Sequence, residues 1–180
     1  SMKELIKRVK DLVDEVRKKV ERLIEEVSKL VDDVKRHIRE LIETVKRLVK
    51  EVADLLRAGR EKEEVVKLLE EVVRRVKKLS KENEERLRTV VERSKKLVDD
   101  LRRDAERVAE EVRKLVEDVN DEEARRLVEK VERDLKDIVR RVEELSRRNV
   151  ERLKEIVKES RELVKEVVER LKRIAEEVTT

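Results

Sequence analysis

Residues 3–20, KELIKRVKDLVDEVRKKV, are followed by ERLIEEVSKLVDDVKRHI and then by RELIETVKRLVKEVADLL, so an 18-residue unit occurs three times over 3–56. Apolar residues return to fixed columns: Leu5, Leu23 and Leu41; Ile6, Ile24 and Ile42; Val9, Val27 and Val45; Val16, Val34 and Val52. An α-helix has about 3.6 residues per turn, so one unit closes five whole turns. The columns therefore keep to one side of a straight helix. A period of about 3.5 residues would wind left-handed and one of about 3.67 right-handed. The repeat predicts long, nearly untwisted helices.

Charged residues make up 54% of the chain and hydrophobic residues 37%. A chain this polar stays unfolded when its apolar residues are scattered. Here they are gathered on one face, the pattern of a helical bundle or coiled coil. The 180 residues suffice for one domain with a sizeable core. There is no cysteine, so disulfide and thiolate chemistry are excluded. No apolar run exceeds two residues, which predicts neither a membrane-spanning helix nor a signal peptide. The expectation is a soluble chain suited to recombinant cytoplasmic expression, with Ser1-Met2 a scar left by tag removal.

The net charge of +4 is small beside 51 basic and 47 acidic groups, and its excess lies in the first third. Opposite charges alternate at short range, as in Glu4/Arg8, Asp14/Lys18, Glu25/Lys29 and Glu43/Arg47. Such pairs, acid first, contribute roughly 0.2–0.5 kcal/mol each on a helix.

Two places break the pattern. Gly59, the sole glycine, suits the left-handed position just past a helix end. Glu61, Glu63 and Glu64 then favour a helix start, where the dipole welcomes negative charge. The second break is Val119-Asn120-Asp121; Asn120 tolerates the left-handed conformation, and Asp121 is a good N-cap. Helices are expected over about 2–57, 61–119 and 121–178. Short connections make neighbours antiparallel. Each apolar stripe spans on the order of 120–140° of its helix, enough to face two partners. The fold class is all-α: one domain over 1–180, a long, nearly straight, antiparallel up-down-up three-helix bundle.

Several stripe positions are polar. Asn83 takes the column of Val65 and Leu101, Ser94 that of Val76 and Val112, Asn149 that of Val131 and Val167, and Ser146 that of Val128 and Val164. Ser80 aligns with Val98 and Val116, and Ser160 with Val142. Hairpin symmetry about residue 120 sets Ser94 opposite Ser146, with Asn149 one turn away, and Ser80 opposite Ser160, with Asn83 close by. His37 falls near the second level. Two polar layers are expected, roughly 20 Å apart. A buried amide without partners costs about 1–3 kcal/mol, and clustering lets each group satisfy another. These layers read as hydrogen-bonded devices that fix register, as a buried Asn does in coiled coils, rather than as a ligand site.

His37 is the only histidine, and Val34 stands where a Glu-x-x-His metal motif would need its acid. No metal and no cofactor are expected. An enzyme is not expected either, because neither a nucleophile–base arrangement nor a glycine-rich phosphate loop is present. Basic and acidic residues interleave and aromatics are missing, which argues against nucleic-acid and membrane partners.

The whole chain resembles computationally designed, de novo helical bundles. The near-identical units in 3–56, the charge-filled surfaces, Gly59 and Asn120-Asp121 as the only loops, the polar layers and the Ser1-Met2 scar carry the resemblance. Spectrin-like three-helix repeats are a natural counterpart, but they usually carry a core tryptophan that this chain lacks. The resemblance implies a hyperstable structural scaffold or rod, monomeric and needing no partner. A second reading is an oligomerisation or protein-binding module whose polar layers specify chain–chain pairing.

Overall fold

The computed structural model describes residues 2–179, with side chains described as far as Glu177; Ser1 of the expected scar lies outside the described residues. The chain folds as an up-down-up three-helix bundle of α1 (Met2–Arg57), α2 (Lys62–Val116) and α3 (Glu122–Thr179). Each helix is on the order of 80 Å long. Ion pairs fix the chain directions. Glu26 meets Arg93 while Lys19 meets Asp104, so α1 and α2 run antiparallel. Arg102 meets Glu143 while Arg113 meets Glu132, so α2 and α3 do too.

The first turn is built on Gly59, whose φ of 68° lies in the left-handed region. The amide of Gly59 donates to the Leu56 carbonyl at 3.3 Å and that of Arg60 to the Leu55 carbonyl at 3.4 Å. This is the paired closure of a Schellman cap. The second turn works differently. α2 stops at Val116, three residues before its expected end, and Glu117 and Val119 donate back to Lys114 and Val116 in tight three-residue steps. Those steps lead the chain off the helix without a left-handed residue. Asn120 is therefore not in the left-handed conformation expected of it: no described non-glycine residue has positive φ. Asp121 does cap α3, its Oδ1 accepting from the Glu123 amide at 3.1 Å.

The chain divides into two compact units, each taking a segment of all three helices. Unit 1 is Ser1–Leu30 with Val90–Val150, and unit 2 is Val31–Thr89 with Glu151–Thr180. The core of unit 2 joins Leu41, Leu48 and Val52 of α1 to Val65, Leu69 and Val76 of α2 and to Val164 and Leu171 of α3. In unit 1, Val9, Val16 and Leu23 of α1, Leu101 and Val108 of α2, and Val131 and Leu135 of α3 are buried. These are the stripe columns of the repeat. Valine forms helices poorly, and burial of about 1.5–3 kcal/mol per side chain outweighs that deficit.

Candidate functional site

The polar stripe positions fall into both units. In unit 2, Asn83 and Ser160 are buried, at 3% and 6% exposure, while Ser80 and His37 are half-buried. In unit 1, Ser94 is buried at 1% exposure, and Ser146 and Asn149 are half-buried.

Burial does not bring closed hydrogen-bonding. Asn83 Oδ1 accepts from Arg86 Nη1 at 3.2 Å, one turn along its own helix. Asn83 Nδ2 and Ser94 Oγ are buried with no partner in the protein. His37 turns to acids of α1 instead of the layer: its Nε2 lies 3.5 Å from Asp33 and its Nδ1 3.4 Å from Glu40. Among the described residues, no hydrogen bond joins Ser80, Asn83, Ser160 and His37, or Ser94, Ser146 and Asn149. Helix axes pack about 8–10 Å apart, a span that a serine hydroxyl cannot bridge unless its counterpart is long and aimed at it.

Helices are also linked by ion pairs that the repeat columns do not mark. In unit 1, Arg93 Nη2 reaches Glu26 at 2.8 Å, Lys19 reaches Asp104, and Arg113 Nε reaches Glu132 at 2.5 Å. Arg102 Nε lies 3.1 Å from Glu143 Oε1. In unit 2, Arg161 Nε reaches Glu84 at 2.5 Å. Hydrogen bonding to Glu143 and its negative charge raise the pKa of Arg102, and Glu132 does the same for Arg113. The signal was present in the sequence: Arg102/Glu143 and Glu84/Arg161 are one repeat apart on each helix, with polarity reversed.

Pairs along a single helix follow the expected spacing only in part. Lys29 and Glu25 meet at 3.3 Å. Asp14, however, meets Arg17 instead of Lys18, and Arg47 turns to Glu51 instead of Glu43. Among the described residues, no group of three or more His, Asp or Glu side chains is placed to hold a metal ion. No described helix is long and apolar enough to cross a membrane. The arrangement offers packing and charge registration.

No protein-family model matches the chain, and no curated protein matches it significantly. Among solved structures, the chain is similar to a computationally designed three helix bundle, with 16% identity over 98% of this chain and 88% of that one, at a TM-score of 0.35. The fold assignment rests on this chain's own helices and ion pairs.

Proposed function

We propose that this chain is a structural scaffold without catalytic activity, a hyperstable bundle of de novo design that needs no metal, cofactor, nucleic acid or membrane. The observation that carries the reading is the reversed polarity of the α2–α3 ion pairs. An apolar stripe that repeats every 18 residues is nearly unchanged when one helix slips by one unit. Packing alone would then leave several registers close in energy where helices of different chains pair; within one chain the short 117–121 connection already forbids a slip of about 27 Å. In the register observed, Arg102 meets Glu143 and Glu84 meets Arg161. A one-unit slip of α3 past α2 would set Arg102 against Arg161 or Glu84 against Glu143. Like charges in opposition disfavour both slips, and the buried Asn83 and Ser94 mark positions where the stripe is no longer self-similar. Residues placed this way serve the choice of one structure.

Light scattering after size exclusion, combined with circular dichroism on heating, tests the reading. The scaffold reading expects a mass of 21.6 kDa and helical signal retained above about 90 °C, the range of hyperstable domains. A mass at a multiple of that value would favour the second reading, an assembly module. The observation behind that alternative is exposed apolar side chains: Ile6, Ile24 and Leu145 in unit 1, and Val49 and Leu163 in unit 2, are 37–45% exposed.

A further inference from the structure

We infer that the first turn is a proteolytic modification site: a trypsin-type serine protease cuts the chain after Arg60, and the cut chain keeps its three-helix bundle. Residues 57–64 are all exposed. Among the described residues no other exposed run is longer than four, the next being 120–123. The run lies wholly in unit 2 and includes residues 58–61, which join α1 to α2. Exposed loop tips are where proteases nick folded chains.

Charge chooses the bond. The chain has 51 Lys and Arg residues. Among the described residues, Arg60 is the only one of them outside a helix. The second turn, 117–121, reads Glu-Asp-Val-Asn-Asp and offers no basic residue. A protease whose specificity pocket carries a carboxylate selects a basic residue before the bond it cuts. The Arg60 guanidinium is available to such a pocket, since it reaches Glu64 only at 4.0 Å and on the surface.

Proteases bind their substrates extended, so the turn must open locally. The bonds that close it are long. Gly59 donates to the Leu56 carbonyl at 3.3 Å and Arg60 to the Leu55 carbonyl at 3.4 Å, against the roughly 2.9–3.0 Å of an ordinary amide–carbonyl bond. No side chain of 57–64 is buried, so opening this run exposes no core. Val52 and Val65, buried on either side of it, stay in place. At any other Lys or Arg a helix must unravel first.

The cut adds one water across the Arg60–Glu61 peptide bond. The protease serine attacks the Arg60 carbonyl carbon, the Glu61 nitrogen leaves with a proton, and water then releases Arg60 as a carboxylate. The products are 1–60 and 61–180. α1 still buries Leu41, Leu48 and Val52 in unit 2 and Val9, Val16 and Leu23 in unit 1. None of that packing passes through the turn, which adds effective concentration to it.

The test is limited digestion of the full chain with trypsin under native conditions, read by intact mass and size exclusion. A single early cut after Arg60 is expected, with 1–60 and 61–180 eluting together at the volume of the uncut chain. Arg60→Gln should slow the first cut by about tenfold or more, with an unchanged circular dichroism melt showing that the fold is intact. No early cut after Arg60, or first cuts scattered over helical Lys and Arg, would overturn the proposal, because scattered cuts report global unfolding instead of local opening. An Arg60→Gln variant cut as fast as the parent would overturn it equally, and separation of the two pieces would overturn the retained bundle.

Discussion

Unit 2 buries Ile38, Leu41, Leu48, Leu69, Leu153 and Leu171 with no alanine among its described buried residues, whereas unit 1 buries Leu12, Leu23, Leu101 and Leu135 alongside Ala105 and Ala124. Ion pairs are distributed the other way. In unit 1, Lys19, Arg93, Arg102 and Arg113 each link two helices, and in unit 2 Arg161 links α3 to Glu84 of α2. The turns differ as well. Unit 2 holds the glycine-built Schellman turn, and unit 1 the turn closed by the Asp121 cap. One repeat thus supports two balances of forces: branched side chains and a backbone-specified turn in unit 2, alanines and charge pairs in unit 1. The apolar stripe supplies cohesion in both, and departures from it give each level of the bundle its own address.

Truncating the core separates the two balances most strongly. Leu41→Ala in unit 2 removes a side chain packed on all sides and should cost about 3–5 kcal/mol, while Leu135→Ala in unit 1, already bordering a groove, should cost nearer 2. Guanidinium unfolding midpoints of the two variants give the comparison, and equal losses would break it.

The unpartnered polar atoms sharpen it next. Asn83→Leu and Ser94→Val each remove a buried group that lacks a partner, and each should raise stability by about 1–3 kcal/mol. Asn149→Leu, at a half-buried position, should stay within about 0.5 kcal/mol of the parent. A large loss in the Asn83→Leu/Asn149→Leu double variant would show that the amides make bonds the bundle depends on. Restoring the residues of the repeat with Ala105→Leu and Ala109→Val, beside a cavity of about 460 Å³ between α2 and α3 in unit 1, should add about 0.5–2 kcal/mol; Ala175→Val, beside the cavity of about 430 Å³ in unit 2, is the matching change there.

The turns give the smallest contrast. Asp121→Ala removes the α3 cap and should cost about 1 kcal/mol. Gly59→Ala should cost about as much through backbone strain at positive φ, since nothing lies near enough to obstruct the added methyl. Asn120→Ala should change little, because Asn120 does not use the left-handed region. Thermal melts of the three variants check the order.

The helices, their number and their buried faces were legible in the chain because an 18-residue column pattern admits one helical reading, and Gly59 announced its turn through a property that other residues lack. The end of α2 was not. Glu117, Asp118 and Val119 are compatible with helix or turn, and the outcome depends on where α3 must begin. Partner choice on the surface was also illegible. Asp14 has Arg17 and Lys18 within reach, and exposed pairs differ by only about 0.2–1 kcal/mol. At the candidate site, Asn83, Ser94 and Ser160 are buried and Ser80, His37, Ser146 and Asn149 half-buried. Whether they bond to one another depends on ångström-scale reach between helices, which periodicity does not encode.

Native-state hydrogen exchange, resolved by residue, tests the contrast between the two units most directly. The amides of Val72 and Val76, in the branched core of unit 2, should exchange by the rarest openings, and those of Ala105, Ala109 and Leu135 in unit 1 by more frequent ones. Slower exchange at Ala105 and Leu135 than at Val72 and Val76 would contradict the account, and would assign the stronger cohesion to charge pairing over side-chain volume.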